Sequence, residues 1–109
     1  MREEGILMIS SAGAVHPLGY FIPRFDGSPP EPWAVEFEEW LTDRVEKGDH
    51  QSLIEYRKKA PYPERAHPRL DHYIPLLVAA GAAGPDAPGR KIHGSWTWGD
   101  PGMGAYQFY

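Results

Sequence analysis

The sequence predicts an α/β fold, as part of a three-layer α/β/α arrangement with central strand material, about three helices and a C-terminal strand segment. Residues 6–9 (ILMI) form an apolar run that is too short for a typical helix and is typical of a strand buried on both faces. Three later stretches carry apolar residues at helical spacing, whereas the last stretch alternates between apolar and other residues. A chain of 109 residues fits a single domain, residues 1–109.

Small residues follow the predicted strand and lead to a histidine. The sequence after Ile9 is SSAGAVH, which places Ser11 in a small-residue loop and His16 at its end. Open α/β sheets commonly bind their ligands beyond the carboxyl ends of the strands. We therefore expect His16 to lie at a functional edge of the sheet.

Residues 17–32 are a loop punctuated by prolines, with aromatic residues at positions that include Tyr20 and Phe25. Two interpretations stay open for these aromatics. They belong to a lid over a substrate, or they pack against the core from a loop without a functional role.

Two helices are predicted after this loop. In PWAVEFEEWLTDRVEKGD, Phe37 and Leu41 lie on one face with other apolar residues. Acidic residues occupy the remaining faces and are interpreted as solvated rather than as a metal site: Glu36, Glu38, Glu39, Asp43 and Glu46. We expect Gly48 to end this helix and Asp49 to cap a second helix that runs to about Lys59.

The stretch AHPRLDHYIPLLVAAGAAG sets two histidines beside a third, apolar helix. Proline is tolerated in a first turn, so we expect the helix to begin near Pro68, with His67 at its cap and His72 one turn inside. Gly81 and Gly84 are expected to end it.

Pro75 lies inside this predicted helix and is expected to kink it near His72. A lone histidine is more often a partly buried residue with ordinary hydrogen bonds than a ligand. Together with His16 and His67, however, it favours a functional site.

The last segment, KIHGSWTWGDPGMGAYQFY, follows the turn-rich linker GPDAPGRK and predicts edge strands or a hairpin. His93, Trp96 and Trp98 either form an aromatic stacking site or, at strand spacing, cover one face of the sheet. The second interpretation is the more common one for such spacing.

Composition excludes several classes of function. The net charge of −4 is spread over both signs without a basic stripe, which argues against a nucleic-acid partner. The absence of cysteine excludes disulfides and thiolate ligands, so that only histidine and carboxylate remain for a metal. The sequence contains no recognisable signal peptide and no apolar run long enough to cross a bilayer, and we expect a cytoplasmic protein.

Several segments together resemble one family. GILMISSAGAVHPL, PWAVEFEEWL, GDHQSLIEYRKKAP, AHPRLDHYIPLLVAAGAAG and WGDPGMGAYQF resemble, in this order, the C-terminal half of the class III extradiol ring-cleavage dioxygenases. The most similar branch is that of the DOPA 4,5-dioxygenase type, in the superfamily of the protocatechuate 4,5-dioxygenase catalytic subunit.

The resemblance implies a non-haem Fe(II) enzyme, with Zn as a possible substitute, that binds a catechol and O2 and cleaves the ring beside the two hydroxyls. It implies that His16 is a general acid/base close to the metal, that His72 occupies a metal-ligand position and that His67 is a second catalytic residue. Ser11 and Tyr20 are the candidates for substrate contact.

The sequence also departs from the family. Two further metal-ligand histidines of the family lie in its N-terminal half, which is outside this sequence, and Pro17 stands where the family has asparagine. We therefore expect the site to be completed by a complementary N-terminal-half chain or by homo-oligomerisation. The alternative is a catalytically silent remnant, or a small regulatory or binding subunit, that associates through an exposed sheet face.

Overall fold

The computed structural model describes residues 4–17 and 23–108. These ranges contain five helices: α1 (Pro32–Glu46), α2 (His50–Ile54), α3 (Tyr56–Lys59), α4 (Pro63–Ala66) and α5 (Ile74–Ala83). They also contain two strands, β1 (Gly89–His93) and β2 (Ala105–Phe108), which pair in an antiparallel sheet. The mixed α/β class predicted from the sequence is confirmed.

Helix α1 supplies most of the core. Phe37, Leu41 and Val45 recur every four residues, so that they share one face of the helix, and each is at most 1% exposed. Pro32 occupies the first turn, where its missing N–H costs nothing. After the C-cap residue Lys47, Gly48 adopts a φ of 65°, and the helix ends there as predicted.

Asp49 caps α2, as the sequence predicted. Its Oδ1 accepts the backbone N–H of Ser52 at 3.1 Å, and its Oδ2 accepts the Ser52 hydroxyl at 2.7 Å. The single helix expected up to Lys59 is instead divided into α2 and α3. Glu55, between them, has a ψ of 28°, outside the helical region, so that the helical hydrogen-bond pattern is interrupted there.

Helix α5 begins later than the sequence predicted. Residues 68–73 form bends and turns, and Pro75 lies in the first turn of α5 rather than kinking its middle. In a helix that began at Pro68, the ring of Pro75 would clash with the carbonyl group of Asp71, and a start at Ile74 avoids this clash. Gly84 is the C-cap, whereas Gly81 lies inside the helix.

Helix α5 is apolar but short, with ten residues. Among the residues that the structure describes, none of the helices combines the length and the hydrophobicity that crossing a membrane requires.

Strands β1 and β2 form the predicted C-terminal hairpin, with a bulge between Lys91 and His93. The expectation that His93, Trp96 and Trp98 cover one sheet face is wrong. Trp96 bridges to Gly102, whereas Trp98 lies in a turn with a φ of 56° and is 54% exposed. The chain leaves the sheet after His93, and the strand spacing therefore no longer applies to the tryptophans.

Residues 6–9 do not form the doubly buried strand that the sequence predicted. Leu7 and Ile9 are 81% and 82% exposed, and this stretch has no regular secondary structure. A strand exists only when a neighbouring strand pairs with its backbone, and the described part of the chain pairs no strand with residues 6–9.

Candidate functional site

The three histidines that the sequence predicts as site residues lie together. The rings of His16 and His72 are stacked, with their centroids 3.5 Å apart and their planes inclined by 7°. His67 lies close to both, because beyond the effect of burial the charges of His16 and His72 each lower the pKa of His67. Residues that are far apart in the sequence therefore meet in one place.

The loop that carries His16 is held from two sides. Gly102 accepts the N–H of Ala14 at 2.9 Å and donates its own N–H to the carbonyl of Val15 at 3.0 Å. On the other side, the N–H of His16 donates to the carbonyl of Ala66, at the end of α4, at 2.8 Å. These backbone bonds fix the position of His16 without using its side chain.

His67 is enclosed in an aromatic box formed by Phe37, Tyr56 and Tyr73, and it is 1% exposed. Its Nε2 donates to the carbonyl oxygen of Ala14 at 2.6 Å, so that Nε2 carries the proton of the neutral ring. Burial lowers the pKa of His67 from 6.5 to about 4. The ring is therefore neutral at pH 7 and anchors the loop that carries His16.

His72 is half-buried and is also engaged with this loop. Its Nδ1 accepts the backbone N–H of Gly13 at 3.1 Å, which places the proton of the neutral ring on Nε2. For its stacked neighbour His16, burial lowers the pKa, and the nearby His72 lowers it further, whereas Asp71 acts in the opposite sense. The neutral form of His16 is therefore favoured.

The described residues do not by themselves fit an Fe(II) site. Imidazole suits iron chemically. However, a metal binds in the plane of the ring, about 2 Å from the nitrogen, and one ion cannot lie in the planes of two stacked, nearly parallel rings. Across residues 4–17 and 23–108, no group of three or more His, Asp or Glu side chains is placed to hold a metal ion.

A groove with a volume of 660 Å³ adjoins the histidines. It is lined by residues 6–14, His67, His72, one side of α5 and residues 103–108. Ser11, a predicted substrate contact, is exposed on this groove. Tyr20, the other predicted contact, lies outside the described residues.

Glu38 is a polar residue of the interior that the sequence interpretation missed. It was assigned to a solvated face but is 4% exposed. Its Oε2 lies 3.4 Å from Nζ of Lys91, and its Oε1 has no hydrogen-bond partner among the described residues. Helical spacing could have located it, because position 38 shares a face with the buried Ala34, Leu41 and Val45.

Thr42, one turn after Glu38, makes a second polar contact with the hairpin. Its hydroxyl lies 2.9 Å from that of Tyr106, whose pKa is raised by burial. Together with the Glu38–Lys91 ion pair, this bond connects α1 to β1 and β2, the two strands that lie before and after Gly102 in the sequence. The support of the histidine loop therefore extends to α1.

The whole described arrangement lies within one family match. The family model described as the catalytic LigB subunit of aromatic ring-opening dioxygenase matches residues 2–109. The chain belongs to the LigB family. This chain is 39% identical over 108 residues to the 4,5-DOPA dioxygenase extradiol of Beta vulgaris, and the match covers 99% of this chain and 40% of that protein.

Other relatives agree with this assignment. The 4,5-DOPA dioxygenase extradiol of Portulaca grandiflora is 39% identical over 109 residues, and this match again covers 99% of this chain and 40% of the relative. The crystal structure of an uncharacterized protein from Escherichia coli K12 superposes with a TM-score of 0.77 at 25% identity. That match covers 96% of this chain and 43% of the other chain. This chain thus spans about 40% of the length of the curated relatives. The family resemblance predicted from the sequence is confirmed.

Proposed function

We propose that the chain supplies the C-terminal part of the active site of an extradiol, ring-opening dioxygenase that acts on a catechol-type aromatic with O2. The observation that carries the proposal is the convergence of His16, His67 and His72 beside one groove. The names of the relatives support the reaction type, since they are 4,5-DOPA dioxygenases. The family match over nearly the whole chain supports the reaction type as well.

The three histidines have different proposed roles. His16 is half-buried rather than enclosed, which suits a group that exchanges a proton with a substrate hydroxyl. His67, which the sequence analysis assigned to catalysis, acts by fixing the loop of His16, because its ring is enclosed and its Nε2 is bonded to Ala14. Ser11, exposed on the groove, and Tyr20 are the proposed contacts of the substrate.

The proposed cofactor is Fe(II), with Zn(II) as a substitute, and it requires ligands from outside this chain. His72 and His16 are the residues of this chain proposed to contribute to the metal site. Their stacked arrangement does not fit the ion, so that metal binding requires the two rings to separate. The missing ligands come from a complementary N-terminal-half chain or from a second copy in a homo-oligomer. The proposed location is the cytoplasm, which is consistent with the absence of cysteine.

A second candidate function is that of a catalytically silent regulatory or binding subunit. The observation that favours it is the bond from the Gly13 N–H to Nδ1 of His72, which occupies one nitrogen of a proposed ligand. A subunit of this kind would associate through its exposed apolar surface, and the rings of His16 and His72 would stay stacked.

A ring-cleavage assay separates the two candidates. The chain is expressed together with the part of the Escherichia coli protein that it does not cover, reconstituted with Fe(II), and supplied with a catechol in air. The yellow ring-opened product is expected, and His16→Ala is expected to abolish it. The matched control is His93→Ala, because His93 is exposed on β1 and its side chain bonds only Ser95 among its described neighbours.

Two outcomes would favour the silent subunit instead. One is a soluble, associated complex that binds Fe(II) no better than His16→Ala does. The other is a complex in which His16→Ala and His93→Ala have equal ring-cleavage rates.

A further inference from the structure

A second cleft, called the tryptophan cleft below, lies between the proline-rich loop and the segment that follows β1. It has a volume of 400 Å³ and shares no lining residue with the groove beside the histidines. This volume is in the range of small-molecule sites. Its lining includes one cation and three aromatic side chains: Arg24, Phe25, Trp96 and Trp98.

Phe25 and Trp98 form a corner of two exposed aromatic rings. Their centroids are 5.6 Å apart and their planes are inclined by 61°. Phe25 is 77% exposed and Trp98 is 54% exposed, so that Phe25 does not pack against the core. Two inclined rings can both present their electron-rich faces to one cation.

The backbone holds Trp98 in a conformation that large side chains rarely adopt. Its φ of 56° lies in the left-handed region. Its carbonyl oxygen accepts the N–H of Arg24 at 2.8 Å, which places Phe25, the next residue, beside it. Residues held in rare backbone conformations cluster at ligand sites. The backbone of Trp98 is therefore an indication of function that is independent of the exposure of its ring.

Carboxylates outnumber the single guanidinium around the tryptophan cleft. Nη2 of Arg24 lies 3.1 Å from Oδ1 of Asp100, and its Nη1 lies 3.7 Å from Oε1 of Glu31. A third carboxylate, that of Asp26, accepts the hydroxyl of Ser28, which lines the cleft. The charge of Arg24 is therefore neutralised, and the remaining negative charge favours a cationic ligand.

Asp100 is the buried member of this group of charges, and it is 1% exposed. Its Oδ1 accepts the Arg24 guanidinium and, at 2.9 Å, the N–H of Glu31, whereas its Oδ2 has no hydrogen-bond partner among the described residues. A buried carboxylate oxygen without a donor is costly. A positive charge in the adjacent cleft would offset part of this cost.

We propose that the tryptophan cleft binds a small organic cation of the alkylammonium class, with its charge against the faces of Phe25 and Trp98 and near the Glu31 carboxylate. Aromatic faces favour an organic cation over a metal ion, because Ca²⁺ and Mg²⁺ require oxygen ligands whereas quaternary ammonium groups bind to aromatic rings. The proposal does not depend on the proposed function, because the cleft and the groove share no lining residue.

An NMR titration of the isotopically labelled 109-residue chain with choline tests the proposal. The four tryptophans provide four indole N–H signals. Choline is expected to shift the signals of Trp96 and Trp98 saturably, and the signal of Trp40, which packs against the core, is expected to stay unchanged. The matched ligand is the uncharged analogue of choline in which carbon replaces nitrogen. Its affinity is expected to be lower by about fivefold or more, because it lacks the charge.

Two variants test the aromatic corner. Trp98→Gly removes the ring and suits the left-handed φ, and it is expected to raise the Kd for choline by about fivefold or more, as followed by the Trp96 signal. Phe25→Leu keeps an apolar side chain without the aromatic face and is expected to weaken binding in the same direction. The matched control is Tyr62→Gly, because Tyr62 is also aromatic and 46% exposed, has a φ of 49° and lines neither the cleft nor the groove.

Three results would overturn the proposal. Equal affinities for choline and its uncharged analogue would show that the cleft does not select a cation. A shift of the Trp40 signal as large as that of Trp98 would show that choline acts on the whole chain rather than in the cleft. Equal affinities of Trp98→Gly, Phe25→Leu and Tyr62→Gly would place the cation elsewhere.

Discussion

At the scale of single residues, the three histidines differ because their surroundings differ. His67 is enclosed by aromatic rings and donates to Ala14, His72 accepts from Gly13, and His16 remains half-buried beside it. Of these three rings, only that of His16 makes no hydrogen bond to the loop backbone among the described residues. The sequence located all three side chains, but the hydrogen bonds that distinguish them depend on loop geometry that periodicity does not reveal.

Replacing His67 is expected to destabilise the chain. His67→Ala leaves the Ala14 carbonyl without its donor and opens a cavity inside the aromatic box, at a cost of about 2–4 kcal/mol. His67→Gln retains an N–H donor and is expected to lose less. Urea unfolding of both variants at pH 7 measures the difference, and equal losses would show that the bond to Ala14 contributes nothing.

The same residue predicts a dependence of stability on pH. The pKa of His67 is about 4 in the folded chain and 6.5 when unperturbed. Below pH 6.5 His67 becomes protonated in the unfolded chain but not in the folded chain. The contribution of His67 to the free energy of unfolding is therefore fully present above this pH and is lost as the pH falls towards 4. Between pH 7 and pH 5 the loss attributable to His67 is about 2 kcal/mol. It is measured as the part of the loss that His67→Gln removes, and an unchanged loss in this variant would contradict the assignment.

At the scale of elements, the predictions that succeeded depend on neighbours in sequence. The apolar face of α1 and the cap at Asp49 are local patterns, and both are confirmed. The strand at residues 6–9 failed because a strand depends on a partner that its own sequence does not contain. Glu38 was missed because its residue type was weighed and its position on the buried face of α1 was not.

The two glycines at positions 48 and 81 test what the backbone requires. Gly48 has a φ of 65°, and a Cβ there would overlap the carbonyl oxygen of Asp86. Gly48→Ala is therefore expected to lower the free energy of unfolding by about 2 kcal/mol or more. Gly81 lies within α5 and has open space at its Cβ, so that Gly81→Ala is expected to raise it by about 0.5–1 kcal/mol. Thermal unfolding of the two variants checks both signs, and a loss at position 81 would mean that this face of α5 is covered in solution.

At the scale of the whole molecule, the chain covers about 40% of the length of its relatives. The described residues bring histidines together without a third ligand. Apolar side chains remain on the surface along the groove. The sequence analysis placed the family's remaining metal ligands outside these 109 residues, and the completion of the site by another chain stays a prediction.

The isolated 109-residue chain is expected to bind Fe(II) weakly and to cleave no catechol. Two imidazoles leave most coordination positions to water, and their stacking must also be broken. Calorimetric titration with Fe(II) or Zn(II), with His16→Ala as the comparison, measures the first expectation. Robust turnover by the pure chain would contradict the second, and light scattering during size exclusion would show whether a dimer is responsible.

Gly102 joins a residue near the beginning of the sequence to one near its end. It is bridged to Val15 and to Trp96 at once, and a Cβ at this position would come within 3.2 Å of both side chains. One of the two supports of the His16 loop therefore forms only after these distant segments have met, and closing so long a loop carries an entropic cost. The bonds of Ala14 and Val15 to Gly102 depend on this closure, whereas the bonds of the same loop to Ala66, His67 and His72 span shorter separations in the sequence.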